Sequence, residues 1–292
     1  MHLPDFQFHE PTSTAEACQM MAVFGAKARP LAGGTDLVVN MKKKVVTPEH
    51  IVSLGRIEDF KSLARRNGTL AIGACVTVAE LAASDLVRET LSALNTGARA
   101  LGTPLVRNLA TIGGNIGSAR PAADLPPSLL AYGSTIEIAS SQGTRQMDLS
   151  DVFKGPGLTA IKPDEIITEI RVNVPAAGSG AGYINLGVRR SQDCNIVNLA
   201  SFLALDDKDG SIRTARIVMG SVGPTPLRAV SAEKVLMGEK PSPALLEKAA
   251  AAAIGDSTPI LDFRGSAEYR RAMVGVLTQR TLAIALKQAQ AG

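Results

Sequence analysis

Two glycine-centred segments some eighty residues apart constrain this chain more than anything else in it: Ala32-Gly33-Gly34-Thr35-Asp36-Leu37 and Thr111-Ile112-Gly113-Gly114-Asn115-Ile116-Gly117. A glycine pair removes Cβ atoms and permits positive φ, so each segment is expected to turn its backbone N–H groups toward an anion without steric cost. Two such turns can hold one diphosphate. Each carries its own small polar set, Thr35 and Asp36 in the first and Thr111 and Asn115 in the second, of a size to bond phosphate, ribose or a ring edge. A dinucleotide is the natural guest. Either pair alone is as readily a structural turn. The reading changes because both carry polar neighbours, and because Ser118-Ala119-Arg120-Pro121-Ala122-Ala123-Asp124 leads a further carboxylate back toward the second. Neither segment completes Gly-x-Gly-x-x-Gly, and no Gly-Lys-Ser/Thr occurs, so a dinucleotide fold other than Rossmann or P-loop is required.

At 292 residues the chain can bury more than one core, and 45% hydrophobic with 20% charged residues is ordinary globular composition. The 31 basic against 27 acidic side chains leave only +4. The basic runs Lys42-Lys43-Lys44, Arg65-Arg66, Arg189-Arg190 and Arg270-Arg271 are scattered, which fits solvated faces or a ligand phosphate and not nucleic acid. Met1-His2-Leu3-Pro4-Asp5-Phe6 lacks a signal-peptide pattern and no apolar run reaches membrane-spanning length, so a cytoplasmic protein without a membrane span is expected. Cys18, Cys75 and Cys194 form no Cys-x-x-Cys pair and read as free thiols, Cys194 as an ordinary buried one. With three histidines, none at ligand spacing from another, no metal site is expected from this chain.

The spacing Ser13-x-x-Glu16 predicts a capped helix to about Gly25, and Arg29 to Leu31 a strand entering the first glycine turn, with a helix or turn over Leu37 to Met41 leaving it. Strands are expected over Ile51 to Leu54 and Thr69 to Thr77, then a helix opened by Thr77-x-x-Glu80, and helical composition from Leu91 to a stop at Gly102 and Pro104. After the second turn come a helix over Ala122 to Tyr132 and strands over Thr135 to Ala139 and Ile166 to Val174. Gly178-Ser179-Gly180-Ala181-Gly182 reads as a linker, which places a domain boundary there. Beyond it, strands over Ile196 to Leu205 and Ile212 to Val222 flank a turn, and helices follow over Arg228 to Met237, Pro243 to Ile254 and Ala267 to Gln288.

Together with Leu31 to Leu37, the segments Arg107-Asn108-Leu109-Ala110-Thr111-Ile112-Gly113-Gly114-Asn115, Pro121-Ala122-Ala123-Asp124-Leu125, Lys162-Pro163-Asp164-Glu165-Ile166-Ile167, Gly223-Pro224-Thr225-Pro226-Leu227-Arg228 and Asp262-Phe263-Arg264-Gly265-Ser266-Ala267-Glu268-Tyr269-Arg270-Arg271 follow one another in a familiar order. Over nearly its whole length the chain resembles the FAD-binding medium subunit of the molybdenum hydroxylases, the xanthine dehydrogenase and carbon monoxide dehydrogenase type. The resemblance implies an α+β protein. A two-part FAD-binding domain of the vanillyl-alcohol-oxidase/PCMH type occupies residues 1–176, with subdomains of about 1–55 and 56–176, and a small C-terminal α+β domain, an antiparallel sheet covered by helices, occupies 177–292. It assigns non-covalent FAD to Pro30, Leu31, Ala32, Gly33, Gly34, Thr35, Asp36, Leu37, Gly102, Thr111, Ile112, Gly113, Gly114, Asn115, Asp124 and Ile161, none of them a catalytic acid or base.

The implied function is electron transfer within an oxidoreductase: a large subunit holds the molybdenum cofactor, a small subunit holds [2Fe-2S] clusters, and the flavin hands electrons to NAD, quinone, ferredoxin or oxygen. A dimer of heterotrimers is the implied assembly. Two positions depart from the family pattern. Tyr183-Ile184-Asn185 stands where many relatives have Tyr-x-Lys, and Cys194 stands where they place an aromatic or aliphatic residue beside the flavin ring. No cysteine lies between Asn115 and Asp124, so the extra four-iron cluster of some relatives is not expected. The polar segment from Asp262 to Arg271 is as readily a contact surface for partner subunits as a helix cap on its own domain. Two other readings stay open: a stand-alone FAD oxidase of the vanillyl-alcohol type, against which neither glycine segment offers a histidine to tether FAD, and a scaffold subunit that has lost FAD.

Overall fold

The computed structural model describes residues 2–189 and 192–291, so Arg190 of the Arg189-Arg190 doublet lies outside the described residues. Two compact units share the chain without a single boundary: residues 1–80, 103–119 and 134–173 form the first, and 81–102, 120–133 and 174–292 the second.

In the first unit β1 (Gln7–His9), α1 (Thr14–Phe24), β2 (Ala28–Leu31), α2 (Leu37–Lys42) and β3 (His50–Ser53) make a parallel sheet of order β1-β3-β2, with Ile51 between Phe8 and Arg29. Parallel neighbours need crossovers, and the two helices supply them. Helix α1 starts where Ser13 Oγ accepts from Glu16 N at 3.2 Å, while the Glu16 carboxylate accepts from Thr12 N at 2.8 Å, one residue earlier than a capping box requires. It buries Ala17, Cys18 and Met21 among Val52, Leu54 and Phe60. Strands β4 (Leu63–Arg66) and β5 (Thr69–Gly73) follow as a hairpin whose turn residues, Asn67 and Gly68, both have positive φ. The strand predicted as far as Thr77 stops at Gly73, where a Cβ would stand 2.3 Å from the Phe60 carbonyl oxygen. Helix α3 (Val78–Ala83) then opens on a complete capping box: Thr77 N donates to Glu80 Oε2 at 2.7 Å and Glu80 N to Thr77 Oγ1 at 3.2 Å.

Helices α4 (Asp85–Thr90) and α5 (Ser92–Ala100) belong to the second unit, α6 (Pro104–Arg107) and α7 (Ile112–Gly117) to the first, and α8 (Leu125–Tyr132) to the second. Pro104, read as a stop signal, is instead the first residue of α6, which Thr103 caps. The first unit is completed by β6 (Thr135–Ser140), β7 (Gly143–Asp148), α9 (Leu149–Val152), β8 (Phe153–Gly155), β9 (Leu158–Thr159) and β10 (Ile166–Asn173). Its larger sheet is antiparallel throughout, in the order β4-β5-β10-β6-β7.

In the second unit β11 (Ser179–Leu186), β12 (Val197–Leu205), β13 (Ile212–Gly220) and β14 (Leu227–Arg228) form an antiparallel meander, accompanied by α10 (Val230–Leu236), α11 (Pro243–Gly255) and α12 (Ala267–Ala291). The glycine-rich stretch read as a linker is therefore a strand, apart from Gly178. Its glycines seat a helix: a Cβ on Gly180 would lie 2.1 Å from the Ala285 carbonyl oxygen and one on Gly182 2.5 Å from that of Thr281, so α12 packs directly on the β11 backbone. Leu199, Leu203, Ile217 and Met219 meet Ala249, Ala253, Leu277 and Ala285 in one apolar core. The buried hydroxyls of Ser201 and Thr281 satisfy each other at 2.7 Å.

Candidate functional site

The first glycine segment is the exit from β2. Pro30 and Leu31 end the strand, Ala32 to Asp36 make the turn, and Leu37 begins α2. Gly34 has φ +73°, which a glycine adopts without strain, and Val38 N donates to its carbonyl at 3.0 Å. Gly33 is required for a different reason. A Cβ there would stand 1.8 Å from the carbonyl oxygen of Leu109, so the two glycine-bearing stretches touch backbone to backbone within the first unit. Among the described residues no acceptor takes the N–H of Gly33, Gly34 or Thr35, and all three are half-buried. That is a cradle of the expected kind.

The second segment differs from expectation. It forms a short helix, α7, whose N–H groups are used internally: Ile112 N donates to Val76 O at 3.1 Å, Gly113 N to Ala74 O at 2.9 Å, Gly114 N to the capping Thr111 Oγ1 at 3.1 Å, and Asn115 N to Thr111 O at 2.9 Å. The expectation that both turns point N–H groups at an anion is corrected for this one. Gly113 is needed for close approach, since a Cβ would lie 2.7 Å from both Cβ and O of Ala74. What this segment leaves open is a side chain: the buried Oδ1 of Asn115 has no hydrogen-bond partner. A buried acceptor without a donor costs free energy, so the site calls for a ligand carrying a donor group here.

Ile161 is half-buried and donates its N–H to Thr159 Oγ1 at 3.3 Å. Beside it Arg145 clamps Glu165 through two 2.8 Å bonds, which with the Lys162 N–H hold the Glu165 carboxyl below the usual carboxylate range. The remaining predicted residues belong to the second unit. Gly102, with φ +52°, follows α5, and Asp124 precedes α8.

Asp124 is buried, and its Oδ1 accepts from Tyr183 Oη at 2.9 Å and from Asn195 Nδ2 at 2.8 Å. Burial pushes its carboxyl above the usual range, with the bonds from Asn195 and Tyr183 opposing the shift. Tyr183, wholly buried beside it, is pushed well up by burial and by the neighbouring carboxylate. Asn198 donates to Ala123 O at 2.9 Å and to Tyr183 Oη at 3.3 Å, and Asn185 donates to Asn195 Oδ1 at 3.1 Å. Sequence reasoning gave Asn195 and Asn198 no role; polar amides at the start of the apolar run Ile196 to Leu205 were the available signal. Cys194, expected to be buried, is exposed, because it sits in the turn before β12. Cys18 and Cys75 are buried, and burial pushes the Cys75 thiol up to about 11.

These residues fit FAD in their chemistry. Acceptor-free N–H groups on a Cβ-free turn suit phosphate oxygens, and a donor-free amide oxygen suits a hydroxyl or ring N–H. The fold and the site thus define a flavin-nucleotide-binding protein of mixed α+β class. The chain matches the family described as FAD binding domain in molybdopterin dehydrogenase over residues 4–176, and CO dehydrogenase flavoprotein C-terminal domain over 183–285. It is 35% identical over 277 residues to the carbon monoxide dehydrogenase medium chain of Afipia carboxidovorans, covering 95% of each chain. It is 32% identical to the glyceraldehyde dehydrogenase medium chain of Sulfolobus acidocaldarius, covering 96% of this chain and 98% of the relative. A solved carbon monoxide dehydrogenase of Hydrogenophaga pseudoflava contains a chain that superposes with a TM-score of 0.94 at 32% identity, over 99% of both chains. The chain belongs to the family of FAD-binding medium subunits of molybdenum-dependent dehydrogenases, and is an oxidoreductase flavoprotein of that family.

Proposed function

We propose that this chain is the electron exit of a molybdenum hydroxylase: it holds one non-covalent FAD, receives electrons from a small [2Fe-2S] subunit served by a large molybdenum-cofactor subunit, and delivers them to NAD or another acceptor such as quinone, ferredoxin or oxygen. The observation that carries the reading is the pairing, within one unit of a chain of this family, of three acceptor-free N–H groups at Gly33, Gly34 and Thr35 with the donor-free Asn115 oxygen. A bound flavin supplies the capacity to take electrons singly and give them up in pairs.

The protein's own residues supply position. The N–H groups of the first segment receive phosphate oxygens, with Pro30 to Ala32 and Asp36 to Leu37 fixing the turn. Gly113 and Gly114 let α7 seat close to residue 74, with Thr111 and Ile112 anchoring its start and Asn115 accepting from the cofactor. Gly102, Asp124 and Ile161 are assigned to the cofactor by resemblance. Residues 1–176 form the proposed FAD-binding domain and 177–292 the proposed C-terminal domain. A dimer of heterotrimers is the proposed assembly and the cytoplasm the proposed compartment, in keeping with three free thiols.

The test is anaerobic addition of NADH, or of a reduced quinone, to the purified complex. The reading predicts bleaching of flavin absorbance followed by a reduced [2Fe-2S] signal in electron paramagnetic resonance. Bleaching by every donor tried with no cluster signal would contradict the relay.

A further inference from the structure

Asp124 is a buried carboxylate held by neutral groups alone. Tyr183 and Asn195 donate to the same oxygen, Oδ1, and among the described residues nothing donates to Oδ2. Both donors are themselves fixed. Tyr183 Oη accepts from Asn198, and Asn195 is held by the Ala122 carbonyl at 3.0 Å and by the amide of Asn185. The titratable groups of the network are Asp124 and Tyr183; what α5, β12 and the residues before α8 present to them, Gly97, Asn198 and the carbonyls of Ala122 and Ala123, is neutral. A buried carboxylate without a cation is costly, and for packing alone an asparagine would cost less. Four polar side chains are committed to orienting this one.

We propose that Tyr183 and Asn195 are positioning residues for Asp124: by occupying Oδ1 they fix the carboxylate so that Oδ2 remains the acceptor for a hydroxyl of the cofactor's sugar or ribityl chain. The proposal rests on the FAD reading above. It differs from a purely structural role in what happens with pH. The two donors favour the charged acid, and so oppose the burial that disfavours it. Removing one raises the pH at which Asp124 takes up a proton, and with it the pH below which the acceptor is weakened.

The experiment measures FAD dissociation from the chain in its native complex between pH 5 and 8, for wild type, Asn195→Ala, Tyr183→Phe, Asp124→Asn and the double variant Asn195→Ala with Asp124→Asn. Asn195→Ala and Tyr183→Phe each weaken FAD binding, roughly tenfold or more at the acid end, and the loss shrinks toward pH 8. Asp124→Asn weakens it equally at every pH, and Asn195→Ala adds nothing to it. Tyr183→Phe keeps the ring and reports on the proposal should Asn195→Ala fail to fold. An equal loss at every pH from both donor variants, no loss from either, or undiminished binding by Asp124→Asn overturns the proposal while leaving the FAD reading in place. A wild-type chain without FAD overturns both.

Discussion

Gly33, Gly34 and Asn115 sit in two similar-looking motifs and are needed for three unlike reasons: a backbone-to-backbone contact, a positive φ and an unpartnered oxygen. Their substitutions should therefore separate. Gly33→Ala places a Cβ against the Leu109 carbonyl and must displace backbone, so it should abolish FAD retention on gel filtration along with part of the fold. Gly34→Ala meets only strain at φ +73°, about 1–2 kcal/mol, and should lower the melting temperature while FAD can still be loaded. Asn115→Leu should leave the melting temperature of the FAD-free protein unchanged or raised, because it removes a buried unpaired acceptor, and should weaken FAD roughly tenfold or more by equilibrium dialysis. The glycines were legible as a site in the sequence. The direction of their N–H groups was not, because the acceptors that take those of the second segment, Ala74 and Val76, are ordinary residues that no motif marks.

Capping signals read well at the scale of elements. Ser13, Thr77 and Ser242 each start a helix where their spacing predicts, with Ser242 Oγ accepting from Leu245 N at 3.2 Å. Local chemistry suffices for that. It misled at Gly178 to Gly182, where flexibility and close packing have the same composition and only the arrival of α12 decides between them. Gly182→Val should accordingly destabilise the protein by about 1–3 kcal/mol or more in urea unfolding, whereas in a true linker it would be neutral. The Asp262 to Arg271 segment has a structural role that the sequence left open. Arg270 is fully buried, bonds the carbonyls of Ile196 and Ser221, and pairs with Asp262 at 2.7 Å, while Arg264 holds the other side of that carboxylate. Arg270→Ala strands these groups and should cost about 3–5 kcal/mol by the same measurement.

Across the whole molecule, the α+β class and the family were legible because many short motifs occur in one order. Long-range polar pairing was not: Asp124 and Asn195 are 71 residues apart, and nothing local to either announces the other. Acid stability depends on another such pair. The Glu165 carboxyl is held below its ordinary value by Arg145, so its stabilisation is fully present above the unfolded carboxylate value of about 4.3 and is lost as pH falls through the folded value. Thermal midpoints of wild type should fall on acidification below about pH 4, and Glu165→Gln should start lower and fall less.

The central claim is that the two glycine segments hold FAD in a chain that relays electrons. The most direct measurement is the visible spectrum and FAD-to-chain ratio of the complex purified gently from its host, for wild type and Gly33→Ala. One FAD per wild-type chain over a broad iron–sulfur background, with flavin lost selectively in Gly33→Ala while the clusters remain, is the predicted result. Wild type without flavin, flavin retained in full by Gly33→Ala, or a flavin-bearing chain that turns over substrate with no partner attached would contradict it.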